Sequence, residues 1–212
     1  MPRIPEPLHS AVEALYGEFE RYRPTGAIAH SPLKPHSVVE PLENQPLRKL
    51  TAHDFAAYSG SAVWTVGSLE DFKYFFPRIA ELALLDVVGG SGWDSWAYRL
   101  APGLTTSSER YAVQTFFRTL WHTAATSYWD VIQVPVVELL YALPFIFDDI
   151  EPLLAVFHPC ASRSATRNLS DICDLGPTWA GPGSERPAQI ADWLVDRAPR
   201  WLAEATATFP DT

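Results

Sequence analysis

Four short stretches hold the residue types that do chemistry. His158 and Cys160 in HPC, followed by Asp171, Cys173 and Asp174 in DICD, bring an imidazole, two thiols and two carboxylates into one span of chain. Zinc favours closely spaced pairs of the Cys-x-x-Cys kind, and none is present. A Cys160 nucleophile activated by His158 needs a lowered thiol pKa and an orienting third group. Spacing supplies neither, so His158 reads as an imidazole at a helix end and Cys160 as a core thiol. In FDDIE, the acids Asp148, Asp149 and Glu151 suit general acid-base work or a divalent cation. The same acids, placed just ahead of an apolar helix, cap its N-terminus and complement its dipole. Their remaining oxygens can still face a basic partner. In WDSW, Trp93, Asp94 and Trp96 follow a glycine-rich turn; they read either as core or as an exposed aromatic anchor of the kind that dominates binding hot spots. Trp93, Asp94, Trp96, Asp148, Asp149 and Glu151 are therefore the expected partner-binding set. His30, His36 and His53 do not share a helical His-x-x-x-His spacing, and no metal is expected there.

The chain contains no G-x-x-x-x-G-K-S/T, G-x-S-x-G, H-E-x-x-H or dinucleotide fingerprint. GPGS at 181–184 follows no strand pattern. No catalytic residue, metal or cofactor is nominated, and the expectation leans away from an enzyme.

Of the 212 residues, 47% are hydrophobic and 19% charged, with eight Trp, eight Tyr and eleven Phe. That is ample material for a core and argues against disorder. A formal net charge of −9 with scattered basic residues argues against nucleic acid, which draws on clustered Lys and Arg. It suits steering toward a basic protein. The most apolar run, residues 131–147, is broken by Gln133, Pro135, Glu138 and Pro144, so it reads as core and no membrane span is expected. The opening MPRIPEPLHSAVEAL lacks a basic region followed by an apolar one, which predicts no export signal and a cytoplasmic location. There Cys160 and Cys173 stay reduced, although the two could in principle pair.

These residues must be positioned by helices, because apolar residues recur at three and four positions almost throughout. Leu8, Val12, Leu15, Tyr16 and Phe19 predict a helix over 7–22, ended by Pro24. The proline-rich segment 23–47 predicts a long irregular connection. Thr51 with Asp54, Ser68 with Asp71, and Thr106 with Glu109 each predict a capping box at a helix start. The second opens a helix bearing Phe72, Phe75, Phe76, Ile79 and Leu82 that continues through Pro77. A proline inside a helix costs about 3 kcal/mol and predicts a bend. Arg78 is expected to interact with Glu81 and is a candidate donor to the carbonyl that the proline leaves open. Further helices are predicted over 93–100, 107–128, 134–143, 150–157 and 187–209, the last bent at Pro199. The expected fold is all-α, an irregular multi-helix domain of seven to nine helices compatible with HEAT-like pairs, as a single domain over 1–212.

The segment 46–84 resembles a small family of uncharacterised bacterial all-helical proteins, through Pro46, Leu47, Arg48, Tyr58, Thr65, Gly67, Asp71, Phe72, Pro77, Arg78 and Glu81. Residues 110–127 and 141–157 are similar to that family's following segments. The resemblance implies a helical fold and no particular activity. Family members often carry a Cys-x-x-Cys pair shortly before the PLR segment; this chain has none there, so a metal or redox role for that pair does not transfer.

Taken together, the residues predict a non-enzymatic, acidic protein-binding partner. The most specific form is an immunity or antitoxin-like protein that occludes a basic toxin or enzyme. The alternative is a small helical enzyme or ligand-binding domain with an aromatic-lined pocket, using Asp148, Asp149, His158 or Cys160 as its polar groups.

Overall fold

The computed structural model describes residues 4–85, 88–89, 91–127, 131–158, 162–175 and 188–209. Among these residues the regular structure is helical, with only isolated bridges joining His30 to Val66 and Ala62 to Val66. The all-α expectation holds. None of the helices among the described residues is long and apolar enough to cross a membrane. The chain divides into two compact units, the first running to Gly92 and adding Arg99–Phe116, the second made of Trp93–Tyr98 and the chain from Phe117 onward.

The first unit holds α1 (Glu6–Phe19), α2 (Glu40–Asn44), α3 (Ala52–Ser61), α4 (Leu69–Ala83) and the first half of α6 (Ser107–Thr126). The capping boxes predicted at Thr51–Asp54 and Ser68–Asp71 are present, each with a reciprocal side-chain and backbone pair. α4 packs against α1 and α3. Phe75 meets Phe55 and Tyr58 at ring separations of 6.0 and 5.4 Å, and Phe76 meets Phe116 at 6.2 Å.

Pro77 is itself buried, and the helix runs unbroken through it. Burying three phenyl rings at about 1.5–3 kcal/mol each outweighs the proline's cost of about 3 kcal/mol. Arg78 pairs with Glu81 as expected, its Nη1 donating at 2.7 Å, but its Nε donates to the Leu50 carbonyl at 2.8 Å rather than to the carbonyl that Pro77 leaves open. It thereby pins the start of α3 to α4.

The connection over 23–47 is more ordered than its prolines suggest. It forms a 3-10 turn at His36–Val38, then α2, and it inserts Ile28, Val39 and Leu42 into the core. Pro41 falls in the first turn of α2, where its missing donor would be unpaired in any case.

Gly103 is fixed by contact rather than by conformation. A Cβ there would lie 2.8 Å from Leu69 Cδ2, 2.9 Å from Leu69 Cγ and 3.0 Å from Lys73 Cε. Gly103→Ala is expected to lower unfolding free energy by about 1–3 kcal/mol through overpacking. Urea unfolding checks this, and an unchanged midpoint would refute it.

The second unit contains α5 (Trp93–Leu100) through Tyr98, the rest of α6, α7 (Val136–Ile146), α8 (Glu151–Leu154), α9 (Arg163–Leu175), α10 (Ala188–Asp196) and α11 (Ala198–Thr208). Trp121 and Phe157 meet edge to face at 5.7 Å, and Phe157 stacks on Trp193 at 6.1 Å. Buried Asn168 donates to the carbonyls of Ala124 and Ala125 at 2.8 and 3.0 Å and so ties α9 to the last turn of α6.

Three regions differ from expectation. α7 continues through Pro144 to Ile146 instead of stopping before it. The C-terminal segment is two helices rather than one bent helix, with Pro199 in the first turn of α11. A proline there loses no helical hydrogen bond, so starting a new helix relieves the strain that a bend would carry. Finally, α9 was not predicted. Its buried positions, Ala165, Leu169 and Ile172 among them, recur at helical spacing on one face, but the segment as a whole is polar on average and lacks the aromatic residues that mark the other long helices.

Candidate functional site

The residues expected to bind a partner separate into two groups. Trp93, Asp94 and Trp96 are buried, which corrects the reading of WDSW as an exposed anchor. The Trp93 ring meets Trp96 at 5.2 Å and Phe117 at 6.3 Å, so the tryptophans serve as core. Asp94 Oδ1 accepts from the Ser95 N–H at 2.7 Å. Glu138 receives the Trp93 N–H at 3.4 Å. Burial pushes the Glu138 carboxyl above its ordinary value; the Trp93 hydrogen bond opposes this and the Asp94 charge adds to it.

Asp148, Asp149 and Glu151 are exposed, and they do different things. Asp149 Oδ1 accepts the first helical N–H of α8, that of Glu151, at 2.9 Å. Glu151 holds Arg197 through two hydrogen bonds, one of 2.6 Å. Asp148 is held by its backbone, whose carbonyl accepts from Gln189 at 3.0 Å. The acids are thus a cap, an ion pair and one carboxylate turned to solvent.

His158 is exposed, with its ring 4.9 Å from that of Trp201. Cys160 lies outside the described residues. Burial and the neighbouring Asp174 push the Cys173 thiol up to about 11, so it is protonated at neutral pH and a poor nucleophile. His30 and His36 meet ring to ring at 5.5 Å, and His36 faces Glu43 at 3.5 Å. Among the described residues no group of three or more His, Cys, Asp or Glu is arranged to hold a metal ion.

Two features of the first unit were not nominated from sequence. The first is a pair of braced turns. Val63 adopts φ +70°, a conformation that a β-branched residue rarely enters and that costs about 1–3 kcal/mol. It is held by hydrogen bonds from Val63 N to the Val66 carbonyl and from Trp64 N, Thr65 N and Val66 N to the Ser61 carbonyl. The turn is tied to the neighbouring connection by Ser31 N to Thr65 O at 2.8 Å and Gly67 N to Ala29 O at 2.6 Å. Gly67 has φ +69°, and a Cβ there would press on Asp71 at 3.3 Å, so glycine is needed. On this platform Trp64 is 64% exposed and Leu33 is 94% exposed. A tryptophan flanked by Ser, Gly and Thr in SGSAVWTVGS, outside any helical period, was the available signal.

The second is a pair of clefts of about 380 and 470 Å³ that share Arg23 and Tyr74 as lining residues. One is completed by Gly26, Ala27, Glu43 and Gln45, the other by Tyr16, Glu20, Leu47 and the Arg48–Glu13 pair. Arg48 engages Glu13 through hydrogen bonds of 2.8 and 2.7 Å, and its guanidinium carbon lies 3.8 Å from the centre of the Tyr16 ring. Tyr16 donates to Glu81 at 2.7 Å; burial first, and then that hydrogen bond, drive its hydroxyl pKa well up. Burial also raises Tyr74. Neither cleft is lined by Asp148, Asp149 or His158.

Beside these lies a buried charge cluster. Glu109 forms the capping box with Thr106 that its spacing predicts, at 3.1 and 3.2 Å. Its other oxygen accepts from Lys73 Nζ at 3.1 Å, Arg21 at 2.8 Å and the Tyr22 hydroxyl. The Glu109 and Lys73 side chains are 0% and 4% exposed. Burial pushes the Glu109 carboxyl up, yet the hydrogen bonds from Tyr22, Arg21, the Thr106 backbone and Lys73 together outweigh it and hold the group far below the usual carboxylate range. The cluster is saturated with partners and ties the end of α1 to α4 and α6.

No protein-family model, curated protein or solved structure matches the chain.

Proposed function

We propose that the protein acts by binding another protein rather than by transforming a substrate. In the specific form the sequence suggests, it is an acidic cytoplasmic inhibitor of the immunity or antitoxin kind that covers a basic partner. The observation that carries this reading is Trp64, 64% exposed on a turn whose strained backbone is held by hydrogen bonds on both sides. Tryptophan is the residue most enriched in binding hot spots. A preformed turn spends little ordering entropy when a partner covers it. Leu33, on the adjoining turn, extends the apolar contact. The net charge of −9 supplies long-range attraction for a basic protein and contributes to association rate more than to residence time.

The test is a photo-crosslinking residue at Leu33 of the full chain in its source cells, followed by titration of the captured protein in purified form. Trp64→Ala is expected to weaken binding by about 30-fold, the loss of roughly 2 kcal/mol typical of a central anchor. Asp148→Lys with Asp149→Lys is expected to slow association at low salt and to leave dissociation unchanged. Failure to crosslink any stoichiometric basic protein, or a Trp64→Ala variant that binds as well as the parent, would overturn the proposal.

A further inference from the structure

We infer that the groove formed by the two clefts at Arg23 and Tyr74 binds a monoanionic carboxylate carried on an apolar body. The inference is independent of the partner surface at Trp64 and rests on how the groove's charges are used. Arg48 is committed to Glu13, Arg78 to Glu81, and Arg21 to Glu18 and Glu109. Arg23 is exposed, lines both clefts and makes no side-chain hydrogen bond or ion pair among the described residues.

On one side of Arg23 the groove is rich in donors. The Gly26 and Ala27 N–H groups make no hydrogen bond among the described residues, and the Gln45 amide is exposed. The acceptor present there, Glu43, is already engaged by the Ile28 N–H at 2.8 Å. A planar carboxylate matches one guanidinium fork flanked by amide donors. On the other side Tyr16, Gly17, Pro46 and Leu47 offer an apolar wall beside Tyr74, suited to a hydrocarbon or aromatic body.

The acids set the charge limit. Glu43 in one cleft and Glu20 in the other outnumber Arg23, with the Glu13–Arg48 pair internally neutral, so the one guanidinium fork free to grip a ligand works against a background of net negative charge. A phosphate dianion meets twice the repulsion that a single carboxylate does, with no second cation to offset it.

The test uses the full chain and amide-resolved NMR titration. The probes are 4-phenylbutyrate, its uncharged amide, inorganic phosphate, and N-acetyl-Gly-Phe as its free acid and its amide. Saturable binding of an acid is expected, with shifts centred on Gly26, Ala27 and Tyr74. It should weaken at least tenfold for the matching amide and for Arg23→Gln, and stay unchanged for Lys34→Gln, which removes a charge outside both clefts. Because Arg23 is exposed and unpartnered, Arg23→Gln should unfold at the parent's midpoint. Tighter binding of the peptide acid assigns the groove to a chain terminus, and tighter binding of 4-phenylbutyrate assigns it to a free organic acid; each upholds the carboxylate chemistry. Equal affinity for acid and amide, full binding by Arg23→Gln, phosphate binding as tightly as the acids, or no saturable binding of either acid at millimolar concentration would overturn it.

Discussion

Glu109→Ala is expected to destabilise the first unit by about 3–5 kcal/mol, because it leaves the buried Lys73 ammonium without its counter-charge. The carboxylate does three jobs at once. It receives the N–H groups of Thr105 and Thr106 at 2.8 and 3.1 Å, accepts from Lys73, and anchors Arg21 and Tyr22. Glu109→Gln keeps most of the capping geometry and removes the charge, so the difference between the two variants separates cap from ion pair. Lys73→Met should restore part of the loss in the Glu109→Gln background, since the uncompensated ammonium is then gone. Urea unfolding of the parent, Glu109→Gln, Lys73→Met and the double variant measures the coupling, and simple additivity would show that the pair does not interact.

The same site gives a pH dependence of defined sign. The folded Glu109 carboxyl is held below its ordinary value, so the folded state takes up its proton less readily than the unfolded state. Its contribution is complete above the unfolded carboxylate value of about 4.3. It is lost as pH falls from there toward the depressed folded value. Glu109→Gln should therefore flatten the fall in stability between neutral and acidic pH. A parallel profile for parent and variant would contradict this.

Trp121→Ala is the corresponding lesion in the second unit, with an expected loss of about 3–5 kcal/mol. The ring is buried, meets Phe157 edge to face, and donates its Nε1–H to the Leu153 carbonyl at 2.8 Å. Removing it opens a cavity and takes a strong donor from that carbonyl. Trp121→Phe keeps an aromatic ring and abandons the hydrogen bond, so about 1–3 kcal/mol is expected. A loss for Trp121→Phe equal to that for Trp121→Ala would mean that the hydrogen bond, and not the ring volume, dominates. Near-ultraviolet circular dichroism on thermal unfolding reads both variants.

Much of the helical framework was legible from spacing. Thr51–Asp54, Ser68–Asp71 and Thr106–Glu109 each lie three residues apart, the separation that closes a capping box, and all three boxes form. The apolar face of α4 was readable through Pro77, because a few buried rings outweigh one missing donor. Prolines nevertheless misled at helix ends. Pro144 and Pro199 have the same local chemistry, yet one is carried inside α7 and the other opens α11. Which outcome is cheaper depends on what the following residues bury. The helix over 163–175 escaped because its apolar face, although periodic, is small within a segment that is polar on average; that face is still enough to pack on α7 and α11.

The site was less legible. Trp93 and Trp64 are the same residue type beside the same kinds of turn residue, and one is core while the other faces solvent. Glu109 reads as a cap, and nothing within a few positions shows that its second oxygen meets Lys73 and Arg21. By itself the amino-acid order determined where helices begin, which faces are apolar and that the chain is acidic, since these follow from neighbours one to four positions apart. Only the tertiary structure decided that Trp64 is exposed and Trp93 buried, that Glu109 is buried with a lysine and that Arg23 faces the clefts without an ion pair among the described residues. Exposure and pairing are set by segments far apart in the chain, and no local spacing encodes the surface that will cover a side chain.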